Sequence, residues 1–327
     1  MQIIRHMLHE DVDMVQRAIE RIRFFEPNAL QMHENGYYVA YSGGKDSAVI
    51  AELCRMAGVK FELVNNHTTV DPPELVYHVR REFERYRAMG IPCSVNMPME
   101  SMWQLIARKC TVPTRKIRYC CDVFKEAGGE GRFVITGVRW AESESRKSKS
   151  GMFQKNKKDE NGKYIYVNDN EEAKRMIEQC PTKGKLTLNP IIDWTDEEVW
   201  AFLRGIRTAK GKRLERKELM NRLLGTRKGM LRTCKLYDEG HKRLGCIGCP
   251  LTGADQMDTE FKKWPKYERA YMRAFSKMLA ERERKKMDTY MHDIKDADGV
   301  MLFFKGKKKY AKQEEGQTDM FNAGIIG

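Results

Sequence analysis

No stretch of the 327 residues approaches the roughly 20 consecutive apolar residues that a membrane-spanning helix requires. The sequence therefore predicts no membrane span. Met1-Gln2-Ile3-Ile4-Arg5-His6 lacks the apolar core of a secretory signal, so the expected location is the cytoplasm. Acid is in short supply: 46 Asp and Glu face 60 Lys and Arg, a formal net charge of +14. An excess of this size favours a polyanionic partner such as nucleic acid, with a highly charged small nucleotide as the alternative. Apolar poverty is not among the deficits, because hydrophobic residues make up 41% of the chain. That share supports a real core and excludes global disorder. Structural disulfides are not expected in a chain without a secretory signal, despite nine cysteines. Beyond Cys249 there is no cysteine at all.

The length allows one large α/β domain with additions, or two domains. Val12, Val15, Ala18, Ile19 and Ile22 recur at helical spacing and predict a helix over 10–33. Short β-rich runs follow at 37–41, 60–65, 92–96 and 132–138, with helices between them, one opened by Pro72-Pro73. Strands alternating with helices predict an α/β fold: a mostly parallel sheet with helices on both faces. Residues 143–185 are polar and lysine-rich, and Asn161-Gly162 is a hairpin turn signal. Thr195 and Glu198 form a capping box for the next helix. From about 201 the chain reads as basic and helical, with a cysteine loop near 234–250 and an amphipathic helix over 259–287. The expected domains are an N-terminal helical segment (1–35), a nucleotide-binding α/β domain (36–203), a basic helical region with the cysteine loop (204–305) and a disordered charged tail (306–327).

The first strand runs directly into Ser42-Gly43-Gly44-Lys45-Asp46-Ser47, and a helix continues from there. Gly43 and Gly44 let the backbone approach an anion closely. Successive N–H groups and the helix N-terminus supply positive potential. Lys45 adds a cation, Ser42 and Ser47 add hydroxyls, and Asp46 holds a magnesium ion or orients the loop. The four residues that the Walker pattern places between Gly and Gly-Lys are missing, so this is a different phosphate loop. Gly137-Val138-Arg139 ends a strand, where ligands of such sheets sit. Arg139 and Arg146 suit forked contacts to phosphate or sulfate oxygens. Lys147 and Lys149 read as a solvated basic loop. Asp71 and Glu74 are candidates for metal or sugar, with Glu74 as a simple helix N-terminal acid the alternative. Asp193 and Trp194 read as structural.

Ser42 to Ser47 resembles the pyrophosphate loop of the adenine-nucleotide α-hydrolase-like (PP-loop ATP pyrophosphatase) superfamily. Four further runs resemble the phosphoadenosine phosphosulfate (PAPS) reductase family within it. These are Thr69-Val70-Asp71-Pro72-Pro73-Glu74; Arg118-Tyr119-Cys120-Cys121 with Lys125; Gly137-Val138-Arg139 with Glu142-Ser143 and Arg146; and Asn189-Pro190-Ile191-Ile192-Asp193-Trp194. They occur in the family's order over roughly residues 36–203. The resemblance implies ATP or a sulfonucleotide at the phosphate loop, with Gly137, Arg139 and Arg146 on the nucleotide. Lys45, Asp46 and Arg139 are the expected catalytic residues.

Cys246-Ile247-Gly248-Cys249 places two thiols in a tight turn suited to one metal centre. Reductases of this family with a tandem Cys-Cys and a later CxxC carry a [4Fe-4S] cluster, and this chain is similar to that pattern. Phe124 stands before Lys125 where those enzymes have Arg. The expected ligands are Cys120, Cys234, Cys246 and Cys249, with Cys121 as the substitute for one of them. A zinc site is the alternative. Cys54, inside a helical apolar pattern, reads as a buried hydrophobe.

Two departures bear on the reaction. The phosphate loop is complete, whereas sulfonucleotide reductases usually have a degenerate one. The Glu-Cys-Gly-Leu-His segment carrying their nucleophilic cysteine is missing. Both favour ATP cleaved to AMP and pyrophosphate, with activation of an acceptor for sulfur transfer. Arg243 to Cys249 resembles the R-x-G-C-x-x-C form of DNA phosphorothioation sulfurtransferases. Such an enzyme requires a sulfur donor, for example a cysteine desulfurase. Residues 204–235 hold twelve Lys or Arg against two Glu, a net of +10, enough to track a phosphate backbone. A sulfonucleotide reductase with another nucleophile and a nucleotide sensor without turnover are the alternatives.

Overall fold

Seven strands form one sheet in the order β5-β4-β3-β6-β9-β7-β8. The computed structural model describes residues 2–7, 11–158, 164–179, 184–205, 231–288, 291 and 293–307. The strands are β3 (Tyr37–Ala40), β4 (Phe61–Asn66), β5 (Cys93–Asn96), β6 (Phe133–Ile135), β7 (Phe153–Lys158), β8 (Tyr164–Val167) and β9 (Leu186–Leu188). β5, β4, β3, β6 and β9 pair in parallel, and β7 joins β9 antiparallel with β8 antiparallel to β7. A mostly parallel α/β sheet is thus present, as the alternating pattern predicts. The paired β7 and β8 match the hairpin reading; its turn at Asn161-Gly162 lies outside the described residues.

The predicted helix over 10–33 is three elements. β2 (Asp11–Asp13) pairs with β1 (Ile4–His6). Asp13 then caps α1 (Met14–Phe24) by accepting from the Val15 and Gln16 N–H groups. α2 (Glu26–Met32) starts afresh because Pro27 sits in its first turn. A proline there lacks the N–H and would clash with the carbonyl four residues back, so one helix cannot run through it. The predicted 259–287 helix breaks for the same reason at Pro265, giving α9 (Ala254–Lys263) and α10 (Pro265–Arg284). Leu186–Leu188 completes the sheet although three residues are too few to show a period.

The described residues form two compact units. The first comprises residues up to His67, Asp71–Pro98 and Phe124–Gly245. Its sheet buries Tyr37, Val39 and Phe133 completely. Phe25, at the end of α1, packs on Phe133 and stacks on Phe153 at centroid distances of 5.8 and 5.7 Å. Burial of each such ring contributes on the order of 1.5–3 kcal/mol. On the alternate residues, Tyr38, Val64 and Val134 form a smaller cluster. The backbone at Gly128 and Gly129 comes so close to the Tyr38 ring that a side chain there would collide with it or with Val134. α3 (Lys45–Ala57) and α4 (Pro73–Ala88) follow β3 and β4. α8 (Asp196–Leu203) begins with the predicted Thr195–Glu198 capping box.

The second unit comprises Thr68–Val70, Met99–Val123 and the described residues from Cys246 onward. α5 (Met102–Lys109) packs against α10. Trp103 meets the fully buried Tyr271 edge-on at 4.8 Å. α11 (Ala297–Phe304) closes this core through Phe304, against Tyr271 and Phe275. The buried Arg282 donates to the Cys110 carbonyl at 2.8 Å, where the chain leaves α5 in a left-handed conformation. Among the described residues no helix is long and apolar enough to cross a membrane.

Candidate functional site

Ser42, Gly43 and Gly44 lead from the carboxyl end of β3 into α3, whose first residues are Lys45, Asp46 and Ser47. Gly43 has φ +77°, and a Cβ there would lie 2.5 Å from Val79 and 2.8 Å from Leu75 of α4. Only glycine fits both demands. The Ser47 hydroxyl donates to the Gly44 carbonyl at 2.9 Å, and Ser42 Oγ lies 3.3 Å from Ser47 Oγ. All six predicted loop residues are therefore gathered in one turn.

β6 lies beside β3 and runs parallel to it, with Tyr38 opposite Val134. Its carboxyl end therefore delivers Gly137 and Arg139 to the phosphate loop. A Cβ on Gly137 would sit 2.9–3.1 Å from Asp46 atoms, backbone included, so the strand exit and α3 touch. Arg139, 1% exposed, donates from Nε to Asp46 Oδ1 at 2.7 Å. It also donates from Nη1 to the Trp194 carbonyl at 3.2 Å and from Nη2 to Asp196 Oδ1 at 2.5 Å. Burial works against its charge, but Asp46 and Asp196 hold its pKa above the ordinary value. The Lys45 ammonium lies 3.1 Å from Asp46 and 3.5 Å from Asp196. Burial also disfavours the Asp196 carboxylate, yet Arg139 and Lys45 carry its pKa below the ordinary value.

Two cations and two carboxylates thus interlock at the mouth of the loop. The sequence named three of the four. Asp196 was missed because an acid at the start of a capped helix already has a local explanation. Tyr237 was missed as well: its hydroxyl accepts from the Lys45 N–H at 2.8 Å. Nothing in the sequence signals a contact across 192 residues.

The remaining candidates have other partners as well. Asp71 pairs with His67 at 3.3 Å. Glu74 lies in the first turn of α4 and raises the pKa of the buried Cys234, which burial raises most. Arg146, half exposed on α6 (Glu144–Lys149), pairs with Glu142 at 2.6 Å. Asp193 holds Arg21 through both carboxylate oxygens at 2.9 and 3.0 Å, and Trp194 is completely buried. Both match the structural reading.

In the second unit Cys120, Cys121, Cys246 and Cys249 are electrostatic neighbours. A hydrogen bond with Cys121 and burial push the Cys120 thiol up, and the charges of Cys121, Cys246 and Cys249 push it further. Cys246 Sγ lies 3.4 Å from the Thr68 hydroxyl, and Arg118 Nη2 lies 3.4 Å from Cys121 Sγ. Gly248, between the CxxC cysteines, has φ +71°; a Cβ there would meet Phe261 and Tyr271 at 2.9 Å. The Gly248 N–H donates to the buried Glu260 at 2.8 Å. Cys234 belongs to the first unit. Among the described residues no group of three or more His, Cys, Asp or Glu side chains is close enough to hold a metal ion. Cys54 is fully buried, as expected, and burial raises its thiol. Most of the basic stripe, residues 206–230, lies outside the described residues.

The chain is 26% identical over 283 residues to an uncharacterized protein of Methanocaldococcus jannaschii, covering 80% of this chain. It spans about half (48%) of that relative's length. Among solved structures, the phosphoadenylyl-sulfate reductase of Candida auris in a phosphate complex is 16% identical, with a TM-score of 0.39. That likeness covers 71% of this chain and 89% of the reductase. The FMN adenylyltransferase of Candida glabrata, with FAD and inorganic pyrophosphate, is 15% identical at a TM-score of 0.38, covering 72% and 64% of the two chains. Residues 36–209, more than half the chain, match the phosphoadenosine phosphosulfate reductase domain, and the chain belongs to that family.

Proposed function

We propose that the chain binds ATP at the phosphate loop and uses it to adenylate an acceptor for sulfur transfer. The observation that carries this reading is the complete loop with Lys45, at the start of α3, and Arg139, beyond the end of the neighbouring β6, converging on Asp46. An acceptor oxygen attacks the α-phosphorus of ATP. The bond to the β-phosphate breaks, pyrophosphate leaves, and the acceptor carries AMP. The terminal sulfur of a donor such as a cysteine desulfurase persulfide then displaces AMP, and a second thiol attacks the donor sulfur of the resulting disulfide, leaving the transferred sulfur on the acceptor. The loop N–H groups, Ser42 and Ser47 would hold the leaving pyrophosphate. Lys45 and Arg139 would neutralise the charge that develops on it. Asp46 would hold the magnesium ion that accompanies ATP. The charge of the 204–235 segment supports a nucleic-acid acceptor.

We propose further that Cys120, Cys121, Cys246 and Cys249, which form no ready-made metal group among the described residues, would draw together round a thiophilic centre. The neighbouring Cys121, burial, and then Cys246 and Cys249 oppose ionisation of the Cys120 thiol, and a metal cation would relieve that opposition. A [4Fe-4S] cluster held there would supply electron transfer or an iron site for sulfur, and zinc is the alternative occupant. Cys234, expected from the sequence as a ligand with Cys121 as the substitute, belongs to the first unit, so the proposal takes Cys121 in its place.

The test is release of pyrophosphate from ATP by anaerobically purified protein, with and without nucleic acid. Release stimulated by nucleic acid is expected. Turnover of a sulfonucleotide without ATP cleavage would replace this reading by a reductase. Tight ATP binding without pyrophosphate release under any acceptor would replace it by a sensor.

A further inference from the structure

The Tyr237 hydroxyl takes one of the N–H donors at the start of the helix that follows the phosphate loop. It accepts the Lys45 N–H at 2.8 Å, and that N–H opens the 13-residue helix α3 at the phosphate loop. A Cβ added to Gly44 would come within 3.5 Å of the same hydroxyl and 3.4 Å of Ser42 Oγ. The phenol oxygen is therefore lodged inside the loop. The first N–H groups of a helix have no partner within it. In a phosphate loop they are the donors that an anion takes. Here one of them is already taken by the protein's own side chain.

The position is built. Cys234 leads into a short 3₁₀ turn, Lys235–Tyr237, closed by Tyr237 N–H donating to the Cys234 carbonyl at 3.0 Å. The chain then turns back as the Gly240 N–H donates to the Tyr237 carbonyl at 3.2 Å. The Tyr237 ring meets Trp200 of α8 edge-on, with centroids 5.2 Å apart and planes at 89°. Trp200 lies four residues beyond Asp196, the carboxylate that binds Arg139 and Lys45. One helix thus supports both the carboxylate on the loop's cations and the ring of the tyrosine on its N–H.

We propose that Tyr237 is a latch on the phosphate loop. Its hydroxyl takes a donor that a phosphate oxygen would otherwise take, and an incoming pyrophosphate group displaces it. This inference rests on the nucleotide reading of the loop. It adds a consequence: occupancy of the loop is transmitted to the 231–240 segment, which joins the stripe of twelve Lys or Arg to the Arg243–Cys249 motif. The ligand class is any compound with a terminal di- or triphosphate.

Tyr237→Phe keeps the ring and its contact with Trp200 and removes only the competing oxygen. ATP and inorganic pyrophosphate are titrated into the full-length wild type, Tyr237→Phe and Lys45→Ala by calorimetry. Hydrogen exchange is followed in the peptides covering 42–48 and 234–241. The latch requires Tyr237→Phe to bind roughly three- to tenfold more tightly than wild type, the range of one neutral hydrogen bond. It also requires pyrophosphate to protect 42–48 while exposing 234–241 in the wild type. Equal or weaker binding by Tyr237→Phe, with Lys45→Ala still impaired, overturns the latch and leaves the nucleotide site standing. Protection of both peptides together overturns it too, because Tyr237 would then be a phosphate contact. Failure of all three proteins to bind either probe removes the nucleotide reading and the latch with it.

Discussion

Arg139 donates from Nε to Asp46 at 2.7 Å across 93 residues of sequence. β3 and β6 are parallel neighbours, so the residues just beyond their carboxyl ends meet. The strand order makes this place special. From β3 the chain moves through β4 to β5 at one edge, and it returns to the other side of β3 with β6. The gap opened by that reversal is where such sheets bind ligands. Asp46 and Asp196 compensate the charges of Lys45 and Arg139. On the proposed reading a nucleotide competes with these carboxylates for the two cations, which would favour highly charged ligands over monoanions.

Lys45→Ala should weaken ATP binding by on the order of 1–3 kcal/mol, the scale of a charged hydrogen bond. Calorimetry that finds unchanged affinity removes Lys45 from the site. Arg139→Lys should not substitute for arginine, because an ammonium cannot span Asp46, Asp196 and the Trp194 carbonyl at once. A lower melting temperature together with weaker ATP binding is the expected result. Wild-type values for both would show that the forked contact is dispensable.

Gly137→Ala should loosen the phosphate loop, since its Cβ would press into the Asp46 backbone. Overpacking of this kind costs typically 1–3 kcal/mol. Gly245→Ala is the control, because nothing lies within 4 Å of the position its Cβ would take. Equal melting temperatures for the two variants would contradict the close approach of β6 and α3.

Stability should slope with pH through His78. Burial, with Arg81 and Arg85 beside it, lowers this imidazole from 6.5 to about 4. Its Nε2 is buried without a partner among the described residues. Above pH 6.5 the group is neutral in both folded and unfolded chains and changes nothing. As pH falls from 6.5 to 4 the unfolded chain takes up a proton that the folded chain refuses, so stability declines. The full loss, reached below pH 4, is roughly 3 kcal/mol. Denaturation of wild type and His78→Phe at pH 7 and pH 4.5 checks the sign: the variant should lose less. Parallel losses would exclude His78 as the source.

Iron and zinc analysis of anaerobic protein addresses the thiol set. Iron with a broad absorbance near roughly 400 nm, lost in Cys246→Ser and Cys249→Ser, is the expected outcome for a thiolate-ligated cluster. Stoichiometric zinc without that band would keep the site and change its metal. Comparing Cys234→Ser with Cys121→Ser then decides which of them completes the set. Metal content unchanged in every serine variant would abolish the site.

Binding of duplex DNA should weaken steeply with salt if the basic segment tracks a backbone. The slope of log affinity against log salt should be roughly −0.9 per phosphate neutralised. A flat dependence, or no binding at low salt, would leave the net charge of +14 to solubility and nucleotide steering.

The sequence by itself determined everything that depends on neighbours along the chain. The Ser42–Ser47 loop follows from a strand, two glycines and a helix in succession. The capping box at Thr195 needs only residues three apart. The CxxC turn is equally local, as is the family membership that rests on motifs in order. Local pattern failed where a single proline overrode a continuing apolar period, at Pro27 and Pro265. It also failed for β9, whose three residues are too short to display one. The tertiary structure alone decided which distant groups meet. Parallel pairing of β3 with β6 brought Arg139 to Asp46. Folding of the second unit made Cys120 an electrostatic neighbour of Cys246 and Cys249, while Cys234 joined the first unit. Asp196 and Tyr237 entered the site through contacts spanning 57 and 192 residues. Such contacts leave no periodic trace, because a hydrogen bond constrains two atoms in space and nothing between them in sequence.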